Sequence, residues 1–148
     1  MASPRFVYID YTNEVAATPG QAFAFLEDIA RWPQWIRRIP KARDVDSGEW
    51  QVGHAIEFRP DFAPAPLKMH VFHYEKDRVL GWGLGRPGSL RGSIEHRFDF
   101  EPAGETRCRI RHREIAEGPL ALLTWPMQPL VHKFNRDWAD DFVRAFGG

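Results

Sequence analysis

Six histidines, a few carboxylates, a tyrosine and one amide at the edge of an apolar helical arc are the residues of this chain whose types and spacing could do chemistry. An imidazole has an ordinary pKa near ~6.5 and can act near neutral pH as base, acid or hydrogen-bond donor. His96 and His112 lie in two alternating runs, residues 93–101 and 107–116, joined across Pro102-Ala103-Gly104. One hairpin register sets Glu101 opposite Arg107, Asp99 opposite Arg109 and Glu95 opposite Arg113, with Arg97 beside Arg111 as the only mismatch, which gives a charge-paired outer face. The same register turns Ile94, His96, Phe98 and Phe100 inward, opposite Glu114, His112, Ile110 and Cys108. His96 and His112 then become direct neighbours with Glu114 on the diagonal, a group able to exchange protons with a bound molecule. The plainer expectation for such a group is a buried polar network satisfied by backbone or water.

His54 and His73 also fall on inward parities, and Tyr11 and Asn135 could each donate to a ligand carbonyl, although a backbone partner is the simpler expectation for both. Two histidines and a glutamate spread over two strands lack recognised ligand spacing, so no metal site is expected. Cys108 has nothing near it in sequence that would activate a thiolate. Gly83-Leu84-Gly85-Arg86-Pro87-Gly88 spells a dinucleotide fingerprint, but it stands between two strands with no helix after it to hold a pyrophosphate.

These residues need a frame. Over residues 128–148, Leu130, Val131, Phe134, Trp138, Phe142, Ala145 and Phe146 fall on one side of a helical wheel, and Lys133, Arg136, Asp137, Asp140, Asp141 and Arg144 on the other. Ion pairs at i,i+4 on the charged side are worth only about 0.2–0.5 kcal/mol each, so this helix must lay its aromatic stripe on something. Residues 5–16 alternate as a strand. Thr18-Pro19-Gly20-Gln21 is a capping-box pattern with Pro at the first helical position, opening a short helix through Ala22, Phe23, Leu26 and Ile29. Pro33 disfavours helical geometry at Trp32, and a second short helix is expected from Pro33 to Pro40.

From Ala42 to Glu101 the pattern is strand, turn and strand, with turns at Ser47-Gly48, residues 60–66, Lys76-Asp77 and residues 86–89. A two-residue loop at Lys76-Asp77 would put Val71 opposite Trp82 and His73 opposite Leu80, with His70 and Phe72 over Gly83 and Gly81. Residues 119–129 are apolar but broken by Pro126 and Pro129, so they form a kinked segment beside the mouth of any cavity.

Twenty basic residues balance twenty acidic ones, which removes the electrostatic footprint of a nucleic-acid binder. No apolar run approaches the roughly 20 residues that span a bilayer, and the absence of a signal-peptide pattern with a lone cysteine points to the cytoplasm. The balanced charge is compatible with a homodimer. The length fits one domain over residues 1–148.

The order of strand, two short helices, six strands and long helix resembles the helix-grip fold. The local text agrees: Glu14-Val15-Ala16-Ala17-Thr18-Pro19 before Ala22-Phe23, then Asp28 through Trp32-Pro33-Gln34-Trp35, then Val52-Gly53. It resembles the SRPBCC superfamily, which includes START domains, Bet v 1-like proteins and polyketide cyclase/dehydrase-like proteins. The resemblance implies an α+β fold in which a curved seven-stranded antiparallel sheet grips the C-terminal helix around an apolar cavity, and it implies no metal or nucleotide cofactor. Cavity walls are expected from Phe58, Val71, Trp82, Phe98, Ile110, Phe134 and Trp138, with polar contacts from Tyr11, His73 and Asn135. The expected occupant is a small or medium apolar molecule, an aromatic one fitting best. The chain would then be a binding or carrier protein, or else a cyclase/dehydratase in which His96, His112 and Glu114 are catalytic. A third reading is an interaction protein whose cavity is filled by its own aromatics.

Overall fold

A computed structural model of the chain describes residues 5–147. Seven strands form one antiparallel sheet: β1 (Arg5–Val15), β2 (Lys41–Asp44), β3 (Ala55–Arg59), β4 (Leu67–Glu75), β5 (Val79–Gly85), β6 (Ser93–Pro102) and β7 (Cys108–Glu117), in the order β1-β7-β6-β5-β4-β3-β2. Helices α1 (Pro19–Glu27) and α2 (Trp32–Trp35) follow β1, with a 3-10 turn (Ile29–Arg31) between them. After β7 come α3 (Gly118–Thr124), a 3-10 turn (Trp125–Met127) and α4 (Gln128–Ala145). This is the helix-grip arrangement, with α4 on the concave face of the sheet.

Local chemistry accounts for most boundaries. Thr18 caps α1: its hydroxyl accepts from Gln21 N–H, and the Gln21 side chain accepts from Thr18 N–H at 2.9 Å. Trp32 adopts helical geometry (φ −49°, ψ −45°) despite the proline after it. Its indole explains the departure, because it is fully buried and donates to Leu26 O at 2.8 Å. The second helix is correspondingly short and ends at Trp35, well before Pro40.

Three further expectations change. The β6–β7 hairpin slides by two residues: Glu101 pairs with Arg109, Asp99 with Arg111, Arg97 with Arg113 and His96 with Glu114. The turn is longer than its Pro-Ala-Gly core, since Pro102 still pairs with Cys108 and Ala103 N–H bonds Arg107 O. A slide of two keeps each residue on its face but changes every partner. In the β4–β5 hairpin the loop has three residues, with Asp77 at φ 63°, and a bulge lies between Val71 and His73. The bulge turns Tyr74 inward against Phe23 and sends His73 to the outer face, over Gly81. There it bonds Glu95, whose carboxylate occupies the space a Cβ on Gly81 would take. Finally, Asp141 leaves the charged side of α4 and is buried, accepting from Arg37 N–H at 2.9 Å and Arg37 Nε at 2.7 Å. An arginine from a distant loop overrides the helical wheel.

Candidate functional site

Between the sheet and the first half of α4 lies a cavity of about 320 Å³. β3 and β4 contribute Phe58, Leu67 and Met69, β5 and β6 contribute Leu84, Ile94 and His96, and β7 contributes Glu114. Val131, Phe134 and Asn135 enter from α4, and Thr124 and Met127 from the kinked segment before it. Pro60, Phe62, Ala63 and Pro64 complete the wall. Inward-facing positions on neighbouring strands recur at every second residue, which is why Leu84, His96 and Glu114 face one space from three strands.

The polar side chains gather at one place. His96 and Glu114 are a direct cross-strand pair, with His96 Nδ1 3.7 Å from Glu114 Oε2. Asn135, fully buried, donates through Nδ2 to Glu114 Oε2 at 3.0 Å and to Val131 O at 2.9 Å. Asn135 Oδ1 and His96 Nδ1 have no hydrogen-bond partner within 3.5 Å, although the Asn135 side chain lies close enough to His96 to oppose the effect of burial on its imidazole. Thr124, by contrast, spends its hydroxyl on Leu120 O and Ala121 O. Burial pushes the Glu114 carboxyl up to about 7, against the opposing pull of the Asn135 hydrogen bond. Burial also holds His96 down to about 4, so its imidazole is neutral near pH 7. The site can therefore present a protonated carboxyl, a neutral imidazole and an amide oxygen to one ligand head, and Glu114 can gain or lose its proton near neutrality.

Of the residues expected to meet a ligand, Phe58, His96, Glu114, Phe134 and Asn135 border this cavity. Trp82, Phe98 and Trp138 stand behind it in solid packing with Trp32 and Phe58, and Val71 belongs to the same core. His112 faces inward but stacks flat on Phe98 at 4.1 Å between ring centres. It shares with Ile110 a separate hollow of about 10 Å³, and burial drives its pKa well down. Tyr11 is half-buried against the small cluster of Ile9, Ile94, Ala116 and Ala121. His73 lies outside, as described, and His54 is held by Asp44 at 2.7 Å and stacked on Trp50. Leu84, Met69 and Ile94 were not singled out by sequence reasoning, although their parity with Trp82, Val71 and His96 was available. Among the described residues, no three His, Cys, Asp or Glu side chains gather so as to hold a metal ion.

The family model described as "Polyketide cyclase / dehydrase and lipid transport" matches residues 7–146. The chain belongs to this polyketide cyclase/dehydrase and lipid transport family. Among curated proteins none matches its sequence. Solved structures share the fold at low identity. A START superfamily protein from Mycobacterium smegmatis superposes with a TM-score of 0.73 at 15% identity, covering 93% of this chain and 95% of that one. The Zhui aromatase/cyclase from Streptomyces sp. R1128 gives 0.74 at 11% identity, covering 96% and 93%. Norcoclaurine synthase from Thalictrum flavum gives 0.69 at 17% identity, covering 97% and 87%. The polyketide cyclase/dehydrase and lipid transport assignment thus agrees with the START-like fold of these structures. No helix among the described residues is long and apolar enough to cross a membrane.

Proposed function

We propose that the chain binds a compact apolar molecule carrying an oxygen-bearing head, with aromatic bodies fitting best. The head lies against His96, Glu114 and Asn135, and the body against Phe58, Met69, Leu84 and Phe134. One observation carries this reading: the polar side chains of an otherwise apolar cavity wall, His96, Glu114 and Asn135, gather at a single place, where Asn135 Oδ1 and His96 Nδ1 lack a close hydrogen-bond partner. Leaving such atoms unsatisfied is costly; a ligand hydroxyl can donate to Asn135 Oδ1, and a hydroxyl or carbonyl oxygen can accept from His96. Phe58, Phe62 and Phe134 offer ring faces and edges to a flat ligand.

The test is a titration with flat apolar ketones and phenols, followed by tryptophan fluorescence. Saturable quenching is expected, with the affinity for phenols, whose hydroxyl can donate to Asn135 Oδ1, about tenfold weaker in Asn135→Ala, the loss of one hydrogen bond. Unchanged affinity in that variant for every ligand that saturates would overturn the placement.

A second reading is favoured by the Glu114 carboxyl near 7 beside a neutral imidazole. In a cyclase/dehydratase, ionised Glu114 would take a proton from the carbon next to a ketone, while His96 donates a hydrogen bond to the carbonyl. The same carboxyl, once protonated, would return the proton to a departing hydroxyl, which leaves as water. Turnover should then fall by about 10² to 10⁴ in Glu114→Gln. A ligand recovered unchanged after long incubation with the wild-type protein leaves binding as the function.

A further inference from the structure

The segment between β7 and α4 is unusual for what it leaves outside. Residues 118–131 contain no charged side chain. In α3 only Gly118 and Ala121 are buried, and the 3-10 turn after it buries nothing. Leu122 is 59% exposed, Leu123 75%, Trp125 54% and Met127 43%. Met127 also borders the cavity, so this apolar surface is continuous with the cavity wall.

The β5–β6 loop extends the same surface. Leu120 N–H bonds Arg91 O at 3.0 Å, tying α3 to the loop. The contact is possible because residue 92 is glycine: at φ 84° a Cβ there would sit 2.0 Å from Glu117 O. The loop carries Leu90, 96% exposed, between Arg86 and Arg91, both exposed, and residues 86–91 contain no acid. Glu117 nearby is occupied by the Gly88 N–H at 2.7 Å.

We infer that Leu90, Leu122, Leu123 and Trp125, flanked by Arg86 and Arg91, form a surface that docks reversibly on an anionic lipid bilayer, with the cavity wall at Met127 turned toward the lipid. Apolar side chains and an indole enter the headgroup boundary while arginines meet lipid phosphates, the combination that holds peripheral proteins at a membrane. A second copy of the chain fits less well, because a two-fold contact through this face joins two surfaces that each carry Arg86 and Arg91 and no acid within residues 86–91. The inference rests on the cavity taking an apolar ligand, since such a ligand partitions into bilayers and would be collected there.

The experiment uses the full chain with vesicles of phosphatidylcholine, with and without 30 mol% phosphatidylglycerol (about a third anionic lipid, enough for a negative surface potential), and no cavity ligand. Trp125 is the exposed indole among six tryptophans, the others being buried or half-buried, so a quencher carried by the lipid should reach it ahead of the others. Expected results are co-sedimentation with the anionic vesicles, a blue shift and quenching by brominated lipid. Binding should fall roughly tenfold or more in Arg86→Glu/Arg91→Glu and in Leu122→Asn/Leu123→Asn. Both variants should still bind a cavity ligand in solution, which separates this surface from the cavity reading and shows that they fold. Absence of vesicle binding by the wild type overturns the inference, as does binding that both variants retain. A concentration-dependent dimer lost in Leu122→Asn/Leu123→Asn, without vesicle binding, would overturn it in favour of self-association.

Discussion

The two halves of α4 rest on the same sheet and do opposite things with it. Along the second half, Trp138 and Phe142 pack into a continuous aromatic block: Trp32, Trp82 and Phe98 lie within 5.1–6.0 Å of Trp138 between ring centres, and Phe25 and Trp35 flank Phe142. Along the first half, Val131, Phe134 and Asn135 line the cavity. The difference lies in what crosses over each half. α1, α2 and their connection deliver large rings to one, whereas the other is covered by the Pro- and Ala-rich loop of residues 60–66 and by a segment that turns its leucines outward. Arginines mark the border, with Arg37 bound to Asp141 and Arg38 to both Asp61 and Asp137. One layer thus contains both an anchor and a cavity, and the cavity stays unfilled because no large ring is delivered into it from the segments that cover it.

The sharpest way to break this contrast is to hollow the solid half. Trp138 is 1% exposed and touches rings on every side, so Trp138→Ala should cost about 4 kcal/mol in urea unfolding. At the open end Met69→Ala should cost less, about 2 kcal/mol, because Met69 already borders a void and leaves fewer contacts unmade. Equal losses would mean that the cavity wall is packed as tightly as the block.

Acid should distinguish the halves next. The pKa values of His96, to about 4, and of His112 lie below the unfolded value, so the unfolded chain binds more protons at these sites as pH falls, and stability is lost. Glu114, raised to about 7, acts oppositely: its folded form holds a proton that the unfolded form releases, so its contribution fades as pH rises from about 4.5 toward 7. Two histidines against one carboxyl leave a net of one proton. Stability should therefore rise by roughly 1.4 kcal/mol per pH unit between about pH 4.5 and 6.5. Glu114→Gln removes the opposing group and should steepen that slope toward twice the value. A slope unchanged by the substitution would mean that Glu114 is ionised at neutral pH in the free protein.

The border gives a smaller effect. Asp141→Asn keeps the shape but removes the charge that Arg37 and Arg144 meet. Because Arg37 is 58% exposed, the loss should be about 2 kcal/mol, less than for a pair buried on both sides. Ligand affinity should not move, since Asp141 stands away from the cavity wall.

Much of this frame was legible in the chain, and the rest was hidden for identifiable reasons. Thr18 and Gln21 announced α1 because a capping box is a local bargain between neighbours. The alternation of β6 and β7 assigned His96, His112 and Glu114 to the inner face, and a two-residue slide preserved that while exchanging the cross-strand partner of His96 from His112 to Glu114. His73 could not be placed, because a single bulge residue reverses the parity of everything beyond it. Asp141 misled the helical wheel through Arg37, 104 residues earlier in the chain. Least legible was the division into filled and open halves. Trp82 and Phe58 look alike as inward aromatics, and only the segments lying over them decide that one is packed behind the cavity and the other lines it.

The finest test of that division is to fill the open half deliberately. Leu84 lines the cavity from β5 and is half-buried, and a phenylalanine suits a strand while extending into the space a ligand would use. Leu84→Phe should change stability by less than about 1 kcal/mol, because it occupies a void rather than displacing packed atoms. It should weaken binding of flat ketones and phenols at least tenfold, measured by the same fluorescence titration. A loss of stability comparable to that of Trp138→Ala would show the space to be closed in solution, and the two halves of α4 would then differ only in composition. Retained binding with retained stability would place the ligand away from Leu84, toward Phe62 and Met127, and would shift the polar contacts expected of His96 and Glu114.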